Sequence, residues 1–321
     1  MTEDELIAAI SDIVGTPGQA VKLGIGDDAA LWQPSRSRRS VISTDMLVEG
    51  LHFELDAMSR EDVGWRAMAA NASDLAAMGA RPVLATVALG LPASTSLGDV
   101  LELYRGLAAC AAGAKLAIVG GDVSRSSALT IAITVVGEVR ASDVKTRAGG
   151  RPGDVVAVTG ALGAARAGLE LTRGRVGIRE DLEAAALLAF RRPEPRLAEG
   201  RFLAASRNVN AMMDCSDGLS TDLSRLCGAS HCGAALERIP VADSARAVAE
   251  QRGEDPECFA LAGGEDFELL TAIRPRAFEN LAGRYRRRFG RELLRVGVLG
   301  PESGITWNGA PLERSGWDHF A

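Results

Sequence analysis

The chain has 321 residues, about two domains at roughly 150 residues each, and can bury a large core without disulfide or metal staples. With 47% apolar and 24% charged residues it is neither disordered, collagenous nor coiled-coil. The 36 Lys and Arg against 42 Asp and Glu leave a formal charge of -6, which argues against a surface built for nucleic acid.

In chain order, Thr2-x-x-Glu5 is a capping box that opens a first amphipathic helix. Residues 41–44 read as a strand, about 61–78 as a helix and 83–89 as a second strand. A helix over about 97–112 follows, then strands at 116–119 and 129–139. Ala148-Gly149-Gly150-Arg151-Pro152-Gly153 is punctuated as a connection, so the domain boundary is expected between about 140 and 150. Beyond it, 154–159, 210–214 and 267–273 read as strands, and 220–226 and 276–288 as helices. The alternation is that of mixed α/β layers, divided into domains 1–145 and 146–321.

No apolar run approaches the roughly 18 residues that span a bilayer, and Met1-Thr2-Glu3-Asp4-Glu5 is acidic where a signal peptide is basic. A cytoplasmic protein with no membrane partner is expected. The five cysteines (Cys110, Cys215, Cys227, Cys232, Cys258) include no C-x-x-C pair, so reduced and mostly buried thiols are expected.

The informative feature is a set of acids embedded among Gly, Ser and apolar residues. These are Gly24-Ile25-Gly26-Asp27-Asp28, Ser43-Thr44-Asp45, Asn71-x-x-Asp74, Gly120-Gly121-Asp122, Asp214-x-Ser216-Asp217-Gly218 and Gly263-Gly264-Glu265-Asp266. Taken singly each has a structural use: a turn at Asp27-Asp28, a cap at Asp45 or Asp217, a surface pair at Asn71 and Asp74 one helical turn apart. Taken together they suggest carboxylates gathered around hard cations, and Mg²⁺ characteristically bridges a few carboxylates to substrate phosphates. Lys145-Thr146-Arg147 supplies a cation for a nucleotide phosphate, although surface solubility is the commoner use of such a pair. Thr159-Gly160-Ala161-Leu162-Gly163 is not a dinucleotide fingerprint and is read as packing. Neither a P-loop nor the protein-kinase signatures occur, and the three scattered histidines give little support for a zinc hydrolase.

In order and spacing these islands resemble the thiamine-monophosphate kinase family, of the superfamily that includes aminoimidazole ribonucleotide synthetase and selenophosphate synthetase. The resemblance is carried by Leu23 to Ala30, Ser43 to Phe53, Asn71 to Ala80, Gly120-Gly121-Asp122, Thr146-Arg147, Asp214 to Leu219 and Gly263 to Leu269. The ending Gly316-Trp317-Asp318-His319-Phe320 and the His52 segment distinguish the kinase from its superfamily. Val123 stands where the family has Thr, and Cys215 replaces an aliphatic residue.

The resemblance implies an α/β (α+β) two-domain aminoimidazole ribonucleotide synthetase-like fold, with an N-terminal sheet domain that dimerises and a C-terminal α/β domain. It implies that Asp28, Ser43, Thr44, Asp45, Asp74, Asp122, Asp214 and Asp217 hold Mg²⁺, with Asp45, Asp122 and Asp214 central to catalysis. By the same carry-over Gly121, Asp122, Arg147 and Ser216 contact ATP, while His52, Glu265 and Trp317 contact thiamine monophosphate. The implied reaction is direct, in-line transfer of the ATP γ-phosphoryl group to thiamine monophosphate, giving thiamine diphosphate, by a homodimer. Two rivals are set beside it. One is a superfamily synthetase acting on an amide or selenide, against which the first thiol at Cys110 and the terminal Ala321 speak. The other is a catalytically silent Mg-nucleotide binding protein.

Overall fold

The computed structural model describes residues 2–18, 20–174, 176–313 and 315–316, save the side chains of Glu3 and Asp4. The chain divides into two units, Met1–Leu75 with Ala80–Ala141 and Ala76–Gly79 with Ser142–Ala321.

The first unit begins with α1 (Glu3–Val14), started by the expected box. Thr2 Oγ1 accepts the Glu5 N–H at 3.2 Å and Glu5 Oε2 accepts the Thr2 N–H at 2.9 Å. There follow β1 (Val21–Leu23), β2 (Leu31–Trp32), β3 (Arg39–Val48), α2 (Arg60–Ala77), β4 (Arg81–Leu91), α3 (Leu97–Ala114), β5 (Ala117–Arg125) and β6 (Thr130–Val139). A second capping box, Ser96 with Asp99, starts α3. The four-stranded sheet runs β3-β6-β4-β5, with β4 and β5 parallel and joined through α3.

Alternation sets the two faces of this sheet. Leu47, Ile131, Ile133, Val135, Val87 and Leu89 are buried on one face. On the other, Ile42 and Met46 are 68% and 57% exposed. The helix α2 is rich in small residues; Ala67, Ala69, Ala72 and Ala76 are fully buried. Its Gly64 lies so close to α3 that a Cβ there would sit 2.1 Å from the Leu103 carbonyl oxygen.

The second unit contains β7 (Val155–Val158), α4 (Ala164–Thr172), α5 (Glu180–Arg191), α6 (Leu197–Ala204), β8 (Val209–Asp214), α7 (Leu219–Ser230) and β9 (Gly233–Leu236). It continues with α8 (Asp243–Arg252), α9 (Pro256–Ala262), β10 (Leu269–Ile273), α10 (Pro275–Phe289), β11 (Leu294–Gly300), β12 (Gly304–Trp307) and β13 (Ala310–Pro311). The sheet order is β13-β12-β9-β11-β7-β10-β8, antiparallel except for β12 beside β9. Val156, Val158, Ala211, Met213, Leu270, Ala272 and Val296 pack with Leu219, Leu223 and Leu226 of α7. A second cluster, Ala167, Ala186, Val248 and Phe259, joins α4, α5, α8 and α9.

Two elements differ instructively from the sequence reading. Gly120-Gly121-Asp122 lies inside β5 rather than after it, paired with Thr86, Val87 and Ala88. Glycine permits this: a Cβ on Gly121 would sit 1.8 Å from the Val87 carbonyl oxygen. Strand β10 starts at Leu269 because Phe267 adopts a left-handed φ of 48°, which no regular strand accommodates. Four cysteines are buried and Cys258 is exposed, all five as free thiols. Among the described residues no helix is long and apolar enough to cross a membrane.

Candidate active site

In the first unit, α2 and β3 bring four of the singled-out residues together. Ser43 Oγ donates a short hydrogen bond to Asp74 Oδ2, and the Asp45 N–H donates to Asn71 Oδ1 at 3.1 Å. Asn71 is fully buried and its amide also donates to the Ala67 carbonyl at 3.0 Å. The helical spacing of Asn71 and Asp74 therefore aims both at β3. The Val48 N–H donates to His52 Nδ1 at 3.0 Å, which makes that nitrogen an acceptor and leaves Nε2 to carry the proton of a neutral ring.

The sheet separates the remaining candidates. Register aligns Asp122 with Ala88, Ala132 and Met46, whereas Asp45 aligns with Ile133 and Val87. Directly opposed residues share a face, so Asp122 and Thr44 lie on the face away from Ser43 and Asp45. Strands β3 and β5 are the two edges, three strand spacings or roughly 14 Å apart. Thr44 Oγ1 donates to the Ile133 carbonyl at 2.9 Å, and Ser124 Oγ donates to Asp122 Oδ2 at 3.1 Å. Asp28 sits in an exposed turn whose N–H is taken by Asp27 Oδ1 at 2.9 Å.

In the second unit the segment after β8 runs beside the segment before β10. The Cys215, Glu265 and Phe267 N–H groups donate to the carbonyls of Glu268, Ser216 and Cys215 at 2.7, 2.7 and 2.9 Å. Asp214, at the end of β8, is 4% exposed. A Cβ on Gly264 would meet the Ser216 carbonyl oxygen at 2.7 Å, so the glycine allows the two segments to touch. Glu265 takes a left-handed φ of 66°. At the tail, the Gly316 N–H donates to Thr221 Oγ1 at 3.2 Å. A Cβ there would lie 1.9 Å from the Asp217 carbonyl oxygen, so the tail crosses the start of α7 at its last described residue. Trp317, and with it Asp318, His319 and Phe320, lies outside the described residues.

Residues to which the sequence reading gave no role hold these loops. Asp222, fully buried, accepts the N–H groups of Ser216 and Asp217 on Oδ2, both at 3.0 Å, and Arg225 Nη1 on Oδ1 at 3.0 Å. Arg225 Nη1 also makes a short contact with Asp217 Oδ2. Asp217 is thus no helix cap; Gly218 holds that position with no side-chain cap bond. Asp266 Oδ2 accepts the Gly163 N–H at 2.7 Å at the start of α4. Burial pushes the Asp222 carboxyl up to about 6 and that of Asp266 up to about 7. The signal for these residues was an acid in the first turn of an apolar helix or beside paired glycines.

Cationic side chains divide likewise. Arg147 is exposed, and its carbonyl accepts the Ser230 hydroxyl at 2.8 Å. Lys145 is buried and spent on structure, its Nζ donating to the Ser206 and Val209 carbonyls at 3.1 and 2.9 Å.

Among the described residues no three His, Cys, Asp or Glu side chains gather as a ready metal cage. Carboxylate and hydroxyl oxygens, as in the Ser43 and Asp74 pair, nevertheless fit Mg²⁺, which is held by one or two carboxylates with phosphates and water. The donor set is hard and contains no thiolate.

Comparison with known proteins gives a consistent picture. Residues 26–139 match the AIR synthase related protein N-terminal domain and residues 151–270 the corresponding C-terminal domain. A thiamine-monophosphate kinase of Synechococcus elongatus is 38% identical over 255 residues, 78% of this chain and 77% of that protein. The crystal structure of thiamine-monophosphate kinase from Stenotrophomonas maltophilia K279a aligns with a TM-score of 0.84 at 30% identity, covering 96% of both chains. A structure described as AaThiL complexed with AMPPCP and TMP aligns with a TM-score of 0.79 at 31% identity, covering 99% of this chain and 97% of the other.

Proposed function

The chain belongs to the AIR synthase related proteins and within them to the thiamine-monophosphate kinases, and we propose from this that it phosphorylates thiamine monophosphate with ATP. The observation that carries the reading is the likeness, over 99% of this chain, to a protein complexed with AMPPCP and TMP. The products are thiamine diphosphate and ADP, and the enzyme acts in the cytoplasm.

The acceptor phosphate, with a second pKa near 6, is largely dianionic at neutral pH, so a general base has little to remove. The barrier is the repulsion of two anions, and catalysis is positioning plus charge stabilisation. Mg²⁺, when bound, supplies neutralisation of phosphate charge. In this reading Ser43, Asp45 and Asp74 form one ligand group; Thr44, on the other face of the same strand, and Asp122, three strand spacings or roughly 14 Å across the sheet, are ligands outside it. Asp28, Asp214 and Asp217 are further ligands. Gly121, Arg147 and Ser216 hold ATP, and His52, Glu265 and Trp317 hold thiamine monophosphate. The Val48 N–H bond to Nδ1 fixes the orientation of the His52 ring.

Residues 1–145 are assigned to ATP, Mg²⁺ and dimerisation, and 146–321 to the C-terminal α/β domain. The homodimer is supported by the exposed sheet face carrying Ile42 and Met46, an apolar surface of the kind that protein contacts cover.

The test is direct. Purified protein with ATP, Mg²⁺ and thiamine monophosphate is expected to yield thiamine diphosphate identified by mass, and ATP binding without this product would defeat the proposal.

A further inference from the structure

Asp217 and Asp222 lie on either side of a single nitrogen, Nη1 of Arg225. The two acids are not equivalent. Asp222 is fully buried and fastened by two backbone N–H groups, whereas the Asp217 side chain is 23% exposed and reaches solvent. Arg225 itself is 35% exposed, and Asp222 stands one helical turn before it on α7. Two carboxylates with one cation leave a net charge of -1, so the group can accept more positive charge. If Arg225 loses its contact with Asp217, it retains its bond to Asp222 at 3.0 Å and is not stranded.

We propose that Arg225 is the resident counter-ion of Asp217 and yields that carboxylate to a divalent cation, falling back on Asp222. Asp222 is then the fixed part: it holds the Ser216 and Asp217 backbone in place in both states. Arg225 is a positioning residue acting through Asp217. It keeps the acid aligned and lowers its affinity for metal, because guanidinium and cation compete for the same oxygen. The inference rests on the reading of Asp217 as a metal ligand.

Titration of the full chain with Mn²⁺ alone, followed by electron paramagnetic resonance of the free ion, tests both layers. Arg225→Gln is expected to bind one Mn²⁺ about threefold tighter or more, the scale of one partly exposed ion pair. Arg225→Lys, which keeps the charge but not the fork, is expected to fall between it and the parent. A merely structural role predicts the reverse, since a loosened loop weakens metal binding. Asp217→Asn should lose one binding step, and Asp217→Asn with Arg225→Gln should bind no tighter than Asp217→Asn alone.

Unchanged or weaker binding in Arg225→Gln, with the step lost in Asp217→Asn, overturns the counter-ion role while sparing the ligand reading. An unchanged titration in Asp217→Asn overturns the ligand reading and the counter-ion role together. Should Arg225→Gln not fold, Arg225→Lys decides: tighter than the parent supports the role, equal or weaker overturns it.

Discussion

The carboxylate of Asp266 accepts the Gly163 N–H at 2.7 Å, and a second oxygen accepts the Ala165 N–H at 3.3 Å, so one acid caps α4. It is presented by a backbone in which Glu265 and Phe267, on either side, both have positive φ. Such residues persist where surroundings over-determine them, and the Asp266 clamp is part of that constraint.

The first prediction follows from the protonation of this clamp. Burial raises the Asp266 carboxyl from 3.8 to about 7, so between these values the folded state binds the proton more tightly than the unfolded chain. Its contribution to stability is therefore fully present below the unfolded value and lost as pH rises through about 7. Urea unfolding at several pH values across this window should show a smaller pH-dependent loss in Asp266→Asn than in the parent. Equal slopes would remove Asp266 as the source.

Glu268 ties the same segment to the sheet. It takes the Thr159 hydroxyl at 2.5 Å, Arg196 through Nε at 3.1 Å and Nη2 at 2.9 Å, and Arg291 Nη2 at 2.7 Å. The Thr159 hydroxyl oxygen in turn accepts the Leu269 N–H at 2.7 Å. Removing one partner of a buried charged group leaves the others uncompensated, so Glu268→Ala is expected to cost about 3–5 kcal/mol in denaturant unfolding. Glu268→Gln retains one acceptor and should cost less.

The sequence carried much of this architecture because local chemistry decided it. The Thr2 and Glu5 box is where the pattern places it, and Asn71 with Asp74 share the helical face that their spacing requires. Other features were not legible because they arise from distant pairing. The extension of β5 through Gly120-Gly121-Asp122 depends on β4 offering an edge, and no local signal in a glycine pair marks it as strand. The opposite faces of Asp45 and Asp122 depend on register across four strands. Asp222 and Glu268 read as ordinary helix and strand acids until tertiary structure buries them.

The crossing of α2 and α3 gives a prediction about packing. A Cβ on Gly106 would sit 1.8 Å from the Glu61 carbonyl oxygen, and one on Gly64 would sit 2.1 Å from that of Leu103. Both obstacles are backbone and cannot rotate away. Gly106→Ala is expected to lower unfolding free energy by about 1–3 kcal/mol despite alanine's better helix propensity. A more stable variant in chemical denaturation would refute the close-contact argument.

The exposed sheet face predicts an assembly phenotype. Ile42 and Met46 are on the same face of β3, two positions on either side of Thr44. Burying two glutamates there would cost far more than exposing them. If the proposed homodimer forms through this face, Ile42→Glu with Met46→Glu should yield a monomer in light scattering where the parent is a dimer, with the melting temperature of each unit little altered. A double variant as dimeric as the parent would place the interface elsewhere, and a monomeric parent would withdraw the homodimer.

Asp45→Asn separates catalysis from folding. The contact from Asp45 to Asn71 uses the Asp45 backbone N–H, which the substitution retains, so the fold read by circular dichroism should be intact. The lost charge would remove a ligand to Mg²⁺, and turnover with ATP and thiamine monophosphate is expected to fall by about 100-fold or more. Asp122→Asn should behave alike, since the Ser124 hydroxyl can still donate to an amide oxygen. Because the two acids occupy opposite faces of the sheet, each loss should appear separately as a changed dependence of turnover on Mg²⁺. Turnover that is unaltered at saturating Mg²⁺ in either variant would take that aspartate out of the mechanism.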